Sequence, residues 1–279
     1  MSAHVILAEL LAAIEAKQTV ALATVVTAKG KFSPLLGQRV LFWPDRPPSG
    51  SWQLGELGGQ VEAEIQTSLK QQPRSQILTY LNGELEIFVE AQPRPPTLLI
   101  VGAGHVAQPL AQLGKMIDFQ VAVLDDRPQY ANKQRFPTAD QVIAAPFVET
   151  LRHWPIDEQS YIILVTRGHS HDVACLLEII DSPARYIGMI GSKRRVKAVF
   201  DLLAREKGFT PAKIDRVYAP IGLDIGAETP AEIAICIIAE IINLYRGGRA
   251  QSLAEALRAD RRLALHPGRL KNIRPDEHG

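Results

Sequence analysis

TLLIVGAGHVAQPLAQLGKMIDFQVAVLDDR, residues 97–127, holds a strand–turn–helix–strand pattern from which the rest of the chain can be placed. A short apolar run enters Gly102-x-Gly104-x-x-Ala107, and a helical pattern follows at once. In this arrangement Gly102 lets the chain turn sharply out of a strand, Gly104 lets a pyrophosphate approach the backbone, and Ala107 lets the helix sit close on the sheet. The helix start, with His105 in its approach, would then present free N–H groups to an anion. A second strand, Gln120 to Leu124, ends in Asp125 and Asp126. That is where a dinucleotide-binding fold places the carboxylate that meets a ribose, and Arg127 beside it could meet a 2′-phosphate. The competing reading is a tight βα turn in a sheet whose crevice holds nothing.

Downstream, strand-like runs recur at Leu98–Val101, Gln120–Leu124, Gln141–Ala144, Tyr161–Val165 and Tyr186–Ile190, with helical stretches between most of them. This alternation predicts an α/β unit, a Rossmann-like parallel sheet covered on both faces. Ligands in such sheets sit outside the carboxyl ends of the strands. Upstream, EAQPRPP (Glu90–Pro96) has three prolines and no periodicity, so it reads as a stiff connector. Before it stand a helix near His4–Lys17, strands at Val20–Val26, Val40–Phe42, Gln76–Leu81 and Leu85–Val89, and a helix Gln60–Gln71 opened by Gly58-Gly59. Asn82-Gly83 between the last two strands is a type I′ hairpin signal. The expected organisation is a smaller α+β domain over 1–92, a Pro-rich linker over 93–96, the Rossmann-like domain over 97–246 and a tail over 247–279 with a short helix at Leu253–Ala259.

The 279 residues, 46% hydrophobic and 22% charged, are ordinary for a soluble globular protein. Lys+Arg 31 against Asp+Glu 30 leaves a net charge of +1, which gives no global footprint for nucleic acid or an anionic membrane. Cys175 and Cys236 lie inside apolar helical patterns and read as buried hydrophobes, compatible with a reducing cytoplasm. The N-terminus carries acids in a helical pattern rather than a signal peptide, and no apolar run reaches the roughly 20 residues that span a bilayer.

Three further segments stand out, the first two of them at predicted strand ends. Thr166-Arg167-Gly168-His169-Ser170-His171-Asp172 offers His169, His171 and Asp172 as ligand contacts. As a metal site it is incomplete, because two histidines need further ligands, and Ser170 or Asp172 could simply cap the next helix. Gly191-Ser192-Lys193-Arg194-Arg195 enters a helix with Ser192 as N-cap and three cations at its positive end, which a bound anion would explain better than helix stability does. Finally, PIGLDIGAETPAEIA (residues 220–234) holds a capping box, Thr229 with Glu232, and proline at the first helical position. Asp224 and Glu228 lie just before this helix, and Gly222 and Gly226 suggest backbone-shaped surface beside the crevice. The helix itself, Ala231–Tyr245, is apolar on nearly every side and should be covered by more than its own sheet, by the first domain or a second protomer.

GAGHVAQPLA, LDDRPQYANKQRFP, TRGHSHD, YIGMIGSKRR and PIGLDIGAETPAEIA, in this order, resemble the XdhC/CoxI family. The resemblance implies a maturation factor for xanthine dehydrogenase or carbon monoxide dehydrogenase. Such a protein binds the molybdenum cofactor (molybdopterin), supports its sulfuration with a cysteine desulfurase, delivers it to the apo-enzyme and commonly dimerises. In the first domain the family has a Ser-Thr-Pro-Arg type segment and a Gly-Gly-Cys-x-Glu motif. Their counterparts are Ser33-Pro34-Leu35-Leu36-Gly37 and Gly58-Gly59-Gln60-Val61-Glu62, so Gln60 stands at the cysteine position. An amide is neither a nucleophile nor a soft ligand, which leaves Gly58, Gly59 and Glu62 as first-domain candidates.

The resulting expectation is a cofactor-handling accessory protein that works with a xanthine dehydrogenase-type molybdoenzyme rather than a catalyst. An NAD- or NADP-dependent oxidoreductase, with His169 or His171 as acid or base, and a nucleotide-sensing module are the alternatives.

Overall fold

The computed structural model describes residues 3–70 and 75–255. The chain divides into two compact units, Met1–Pro95 and Pro96–Gly279.

In the first unit, strand β1 (Val20–Ala28) sends Ala21, Ala23 and Val25 to one face of a sheet and Val20 and Leu22 to the other, since successive strand side chains point opposite ways. Both faces are covered. The first set packs with Val61, Ile65 and Leu69 of helix α2 (Leu57–Lys70), the second with Ile6 and Ala13 of helix α1 (Ala3–Glu15). The sheet is completed by β2 (Arg39–Phe42), β3 (Gln76–Tyr80) and β4 (Leu85–Gln92), in the order β2-β1-β4-β3 with every pair antiparallel. Between β3 and β4, Asn82 (φ 53, ψ 34) and Gly83 (φ 86) turn left-handed, and the Glu84 N–H donates to the Leu81 carbonyl at 3.2 Å. This is the expected type I′ turn, with Leu81 also at positive φ. Helix α2 starts earlier than expected, and Gln71 lies outside the described residues.

In the second unit, β5 (Thr97–Val101), β6 (Gln120–Asp125), β7 (Gln141–Ala144), β8 (Ser160–Leu164), β9 (Tyr186–Met189) and β10 (Val217–Tyr218) make an all-parallel sheet in the order β10-β9-β8-β5-β6-β7. The chain runs outward from β5 to one edge, returns, and runs from β8 to the other. This is the doubly wound crossover of a Rossmann fold, and it puts the switch point between β5 and β8. Helices α3 (Ala107–Met116) and α8 (Pro230–Arg246) cover one face, where Leu98, Ile100, Val121, Tyr161 and Ile163 meet Leu110, Ala111, Ile237 and Ile241. Helices α4 (Phe147–His153), α5 (His169–Ile179) and α6 (Lys193–Lys207) cover the other, where Leu99, Val101, Leu124, Ile162 and Leu164 meet Leu151, Leu176, Ile179, Val199 and Leu203. Burial on both faces is why the central strands read as unbroken apolar runs. Each such Leu, Ile or Val stabilises the unit by about 1.5–3 kcal/mol.

Two features depart from the expected pattern. Strand β10 is only two residues long, preceded by the short helix α7 (Pro211–Asp215), and neither carries a readable period. From β6 to β7 the chain crosses without a helix, as a looped segment in which Phe136 and Ala139 are buried. Helix α8 buries Ala234, Ile237, Ile238 and Ile241, while Ile235 and Ile242, seven residues apart on its outer side, stay 49% and 38% exposed. The expected helix at Leu253–Ala259 falls largely outside the described residues.

Candidate functional site

Gly102 leaves β5 at φ 110, and a β-carbon there would stand 2.5 Å from the Val165 carbonyl oxygen. The residue is therefore fixed by the close passage of the loop after β8, at the switch point. Gly104 differs. A β-carbon there would meet nothing within 4 Å, so its backbone faces open space. Helix α3 begins just beyond, with Val106 at its N-cap and no side-chain cap, leaving its first N–H groups to an outside acceptor. His105 is exposed on this approach. A glycine turn open on one side thus leads into a helix start without a side-chain cap, an arrangement whose N–H groups could donate to an anion.

The two acids at the end of β6, Asp125 its last residue and Asp126 the next, are already engaged. Asp125 is 1% exposed and accepts from the Ala103 N–H at 2.8 Å, the Arg127 N–H at 3.0 Å, and Arg127 Nε and Nη2 at 2.8 and 3.1 Å. Burial opposes its ionisation, but these donors outweigh burial and hold the carboxyl below the usual carboxylate range. Asp126 is gripped by Nη1 and Nη2 of Arg167, at 2.7 and 2.9 Å, from the loop after β8. Since β8 and β6 flank β5, this pair bridges across the carboxyl end of β5.

The sequence offers Asp172 as a ligand contact or a helix cap. The structure corrects the capping role: α5 starts at His169 with Gly168 as N-cap and no side-chain cap. The Asp172 carboxylate is fully buried and accepts from the Thr166 hydroxyl and the Arg195 guanidinium. It ties together the loop after β8 and the first turns of α5 and α6. Arg195 is thereby withdrawn from the basic cluster. Lys193 and Arg194 remain exposed at the start of α6, behind Gly191 and the N-cap Ser192, whose hydroxyl accepts from the Arg195 N–H at 3.2 Å. His171 is half-buried, its ring edge-on to Phe147 at 5.4 Å, and the His169 side chain lies outside the described residues. Among the described residues, no group of three or more His, Cys, Asp or Glu side chains could hold a metal.

The segment from Ala219 to Thr229 starts beside β9, where the Ile221 N–H donates to the Met189 carbonyl at 3.2 Å. Gly222 (φ 95) is accounted for by packing, because a β-carbon there would lie 3.0 Å from Cys236 Cβ of α8. Its N–H donates to Glu240 at 3.1 Å, and Glu240 also accepts from the buried Tyr186 hydroxyl. The expected capping box is present, with Thr229 and Glu232 bonded reciprocally. Asp224 and Glu228 lie within this segment, both exposed before α8.

In the first unit, Gly58 and Gly59 form the first turn of α2, with Gln60 and Glu62 exposed after them. A separate cleft of about 370 Å³ is lined by Ile6, Leu36, Gly37, Gln38, Arg39, Gly50 and Ser51. Cys175 is buried, and its thiol is pushed up to about 12 chiefly by that burial; Cys236 is buried too. No described helix is long and apolar enough to cross a membrane.

Neither Arg167 nor Thr166 stands out as a site residue in the sequence. Arg127, two positions after Asp125, was the readable sign that this acid is occupied from within.

The XdhC Rossmann domain family matches residues 98–241, and the XdhC and CoxI family matches residues 13–80. "Uncharacterized protein YqeB" of Escherichia coli strain K12 is 32% identical over 163 residues, 58% of this chain and 30% of YqeB. A probable xanthine dehydrogenase subunit of Bacillus subtilis strain 168 is 31% identical over 188 residues, 67% of this chain and 54% of that protein. The chain thus spans between 30% and 54% of the length of these curated relatives. The crystal structure of a xanthine dehydrogenase from Bacillus halodurans shares the fold, with a TM-score of 0.50 at 22% identity over 89% of this chain and 98% of that one.

Proposed function

The chain belongs to the XdhC and CoxI family, and from that premise we propose that it is an accessory factor that binds the molybdenum cofactor and supports its sulfuration and insertion into a xanthine dehydrogenase-type molybdoenzyme. The observation that carries this reading is that Gly104 is open to space just before the uncapped start of α3. A phosphate or pyrophosphate of the cofactor would be held there by backbone N–H groups. Along the same carboxyl edge of the sheet, Lys193 and Arg194 add positive charge, with Asp224 and Glu228 on the neighbouring segment as a polar border. Bound in this way, the cofactor would bring the molybdenum centre; the chain's own part is to bind, orient and release it.

Sulfur does not pass through this chain in the proposed role. Its two cysteines are both buried, the Cys175 thiol is held protonated, and Gln60 occupies the family's cysteine position. The sulfur is brought by a cysteine desulfurase partner, while Gly58, Gly59 and Glu62 serve as first-unit contacts. The reading includes a homodimer, for which the exposed Ile235 and Ile242 of α8 offer apolar surface.

The test is Gly104→Val. Its side chain would fill the cradle, and binding of cofactor freshly released from a molybdoenzyme should weaken by tenfold or more, on the order of 1.4 kcal/mol, with an unchanged circular dichroism spectrum. Undiminished binding by the folded variant would rule the cradle out.

A further inference from the structure

In a dinucleotide crevice, the acid at the end of the second strand receives the ribose hydroxyls. Asp125 has no capacity left for them. A carboxylate offers about four lone-pair positions. Here Oδ1 takes the Arg127 N–H and Nε at 3.0 and 2.8 Å, and Oδ2 takes the Ala103 N–H and Arg127 Nη2 at 2.8 and 3.1 Å. The next acid, Asp126, is clasped by both terminal nitrogens of Arg167 at 2.7 and 2.9 Å, with Arg127 Nε a further contact at 3.8 Å. Arg127 is itself fixed, its guanidinium lying 3.8 Å from the centroid of the Tyr130 ring, which Arg135 also approaches at 4.9 Å. The surface after β6 is therefore two guanidiniums closed over two carboxylates.

A ribose diol could reach Asp125 only by displacing Arg127. That would exchange charge-assisted hydrogen bonds from a cation for weaker ones from neutral hydroxyls. We infer that this crevice gains no affinity from a ribose 2′,3′-diol, that of NAD(H) included, and that Arg127 is the residue that withholds Asp125 from it. The class the crevice accepts is ligands held by a phosphate or pyrophosphate, whether or not they carry a diol. This rests on the proposed reading that the cradle at Gly104 takes a phosphate.

The experiment is calorimetric titration of the full chain and of Arg127→Ala with ADP, 2′-deoxy-ADP and inorganic pyrophosphate. The wild type should bind all three, with ADP and its deoxy analogue within about twofold of each other. Arg127→Ala, which frees positions on Asp125, should prefer ADP by about tenfold or more, the size of a hydrogen bond to a charged group. Should Arg127→Ala fail to fold, Arg127→Gln is read by the same ratio. A tenfold ADP preference in the wild type, or its absence in the folded variants, would overturn the inference. If the wild type binds none of the probes while Arg127→Ala gains diol-dependent binding, the inference holds and the phosphate reading falls. If neither protein binds any probe, both fall.

Discussion

Replacing Gly102 and Gly104 by alanine, one at a time, should give opposite results although the two glycines belong to one motif. At Gly102 the added methyl would sit 2.5 Å from the Val165 carbonyl oxygen and 2.8 Å from its carbon, at φ 110. An L-residue held in such a region costs about 1–3 kcal/mol, and overpacking against backbone adds about 1–3 kcal/mol more. Their sum is about 4 kcal/mol at the middle of both ranges. For a unit of this size, Pro96–Gly279, each kcal/mol moves the midpoint by roughly 2–4 °C. Gly102→Ala should therefore lower it by about 8–16 °C. At Gly104 the methyl meets nothing within 4 Å, so stability should stay within about 0.5 kcal/mol of wild type. Differential scanning calorimetry on the full chain reads both, with the transition of the second unit followed separately. Equal losses for the two variants would refute the view that Gly102 serves the fold and Gly104 the ligand.

Asp172→Ala leaves the Arg195 guanidinium facing an apolar methyl. Breaking a buried pair costs about 3–5 kcal/mol; Arg195 keeps 24% of its side chain exposed, so about 2–3 kcal/mol is expected in urea unfolding. The double variant with Arg195→Ala should be little worse than the single one, and strict additivity would count against the pairing. Asp125 has a lowered pKa in the folded chain, so its contribution is present above the unfolded value, about 3.9, and is lost as pH falls through the folded one. The fall in midpoint on acidification below about pH 4 should accordingly be smaller in Asp125→Asn than in wild type, and parallel curves would contradict this. Lys193→Glu with Arg194→Glu should weaken pyrophosphate binding by about tenfold at low salt, less at high salt, with a midpoint within about 2 °C of wild type. Unchanged affinity would remove these cations from the site.

The sheet was legible because its central strands are buried on both faces and write continuous apolar runs, as in Thr97–Val101 and Ser160–Leu164. Local chemistry was legible too: Thr229 with Glu232, the Ser192 cap, and the Asn82-Gly83 turn are set by neighbours within a few residues. What could not be read was which charges are spent on each other. Arg167 meets Asp126 across 41 residues and Arg195 meets Asp172 across 23. Those pairings exist only because the parallel sheet gathers its loops at one edge. Asp172 thus read as a surface ligand and Arg195 as an anion contact, whereas the fold buries the one and ties the other to it. The exposed Ile235 and Ile242 show the converse, since an apolar helix pattern does not say what covers its outer face.

Titration of the full chain, side by side, with freshly released molybdenum cofactor and with NADH and NADPH, followed by fluorescence and calorimetry, separates a cofactor-handling protein from a nicotinamide-nucleotide binder. Saturable binding of the molybdenum cofactor, with no comparable binding of either nicotinamide nucleotide, is the predicted result. Tight binding of NADH or NADPH without binding of the molybdenum cofactor would contradict it.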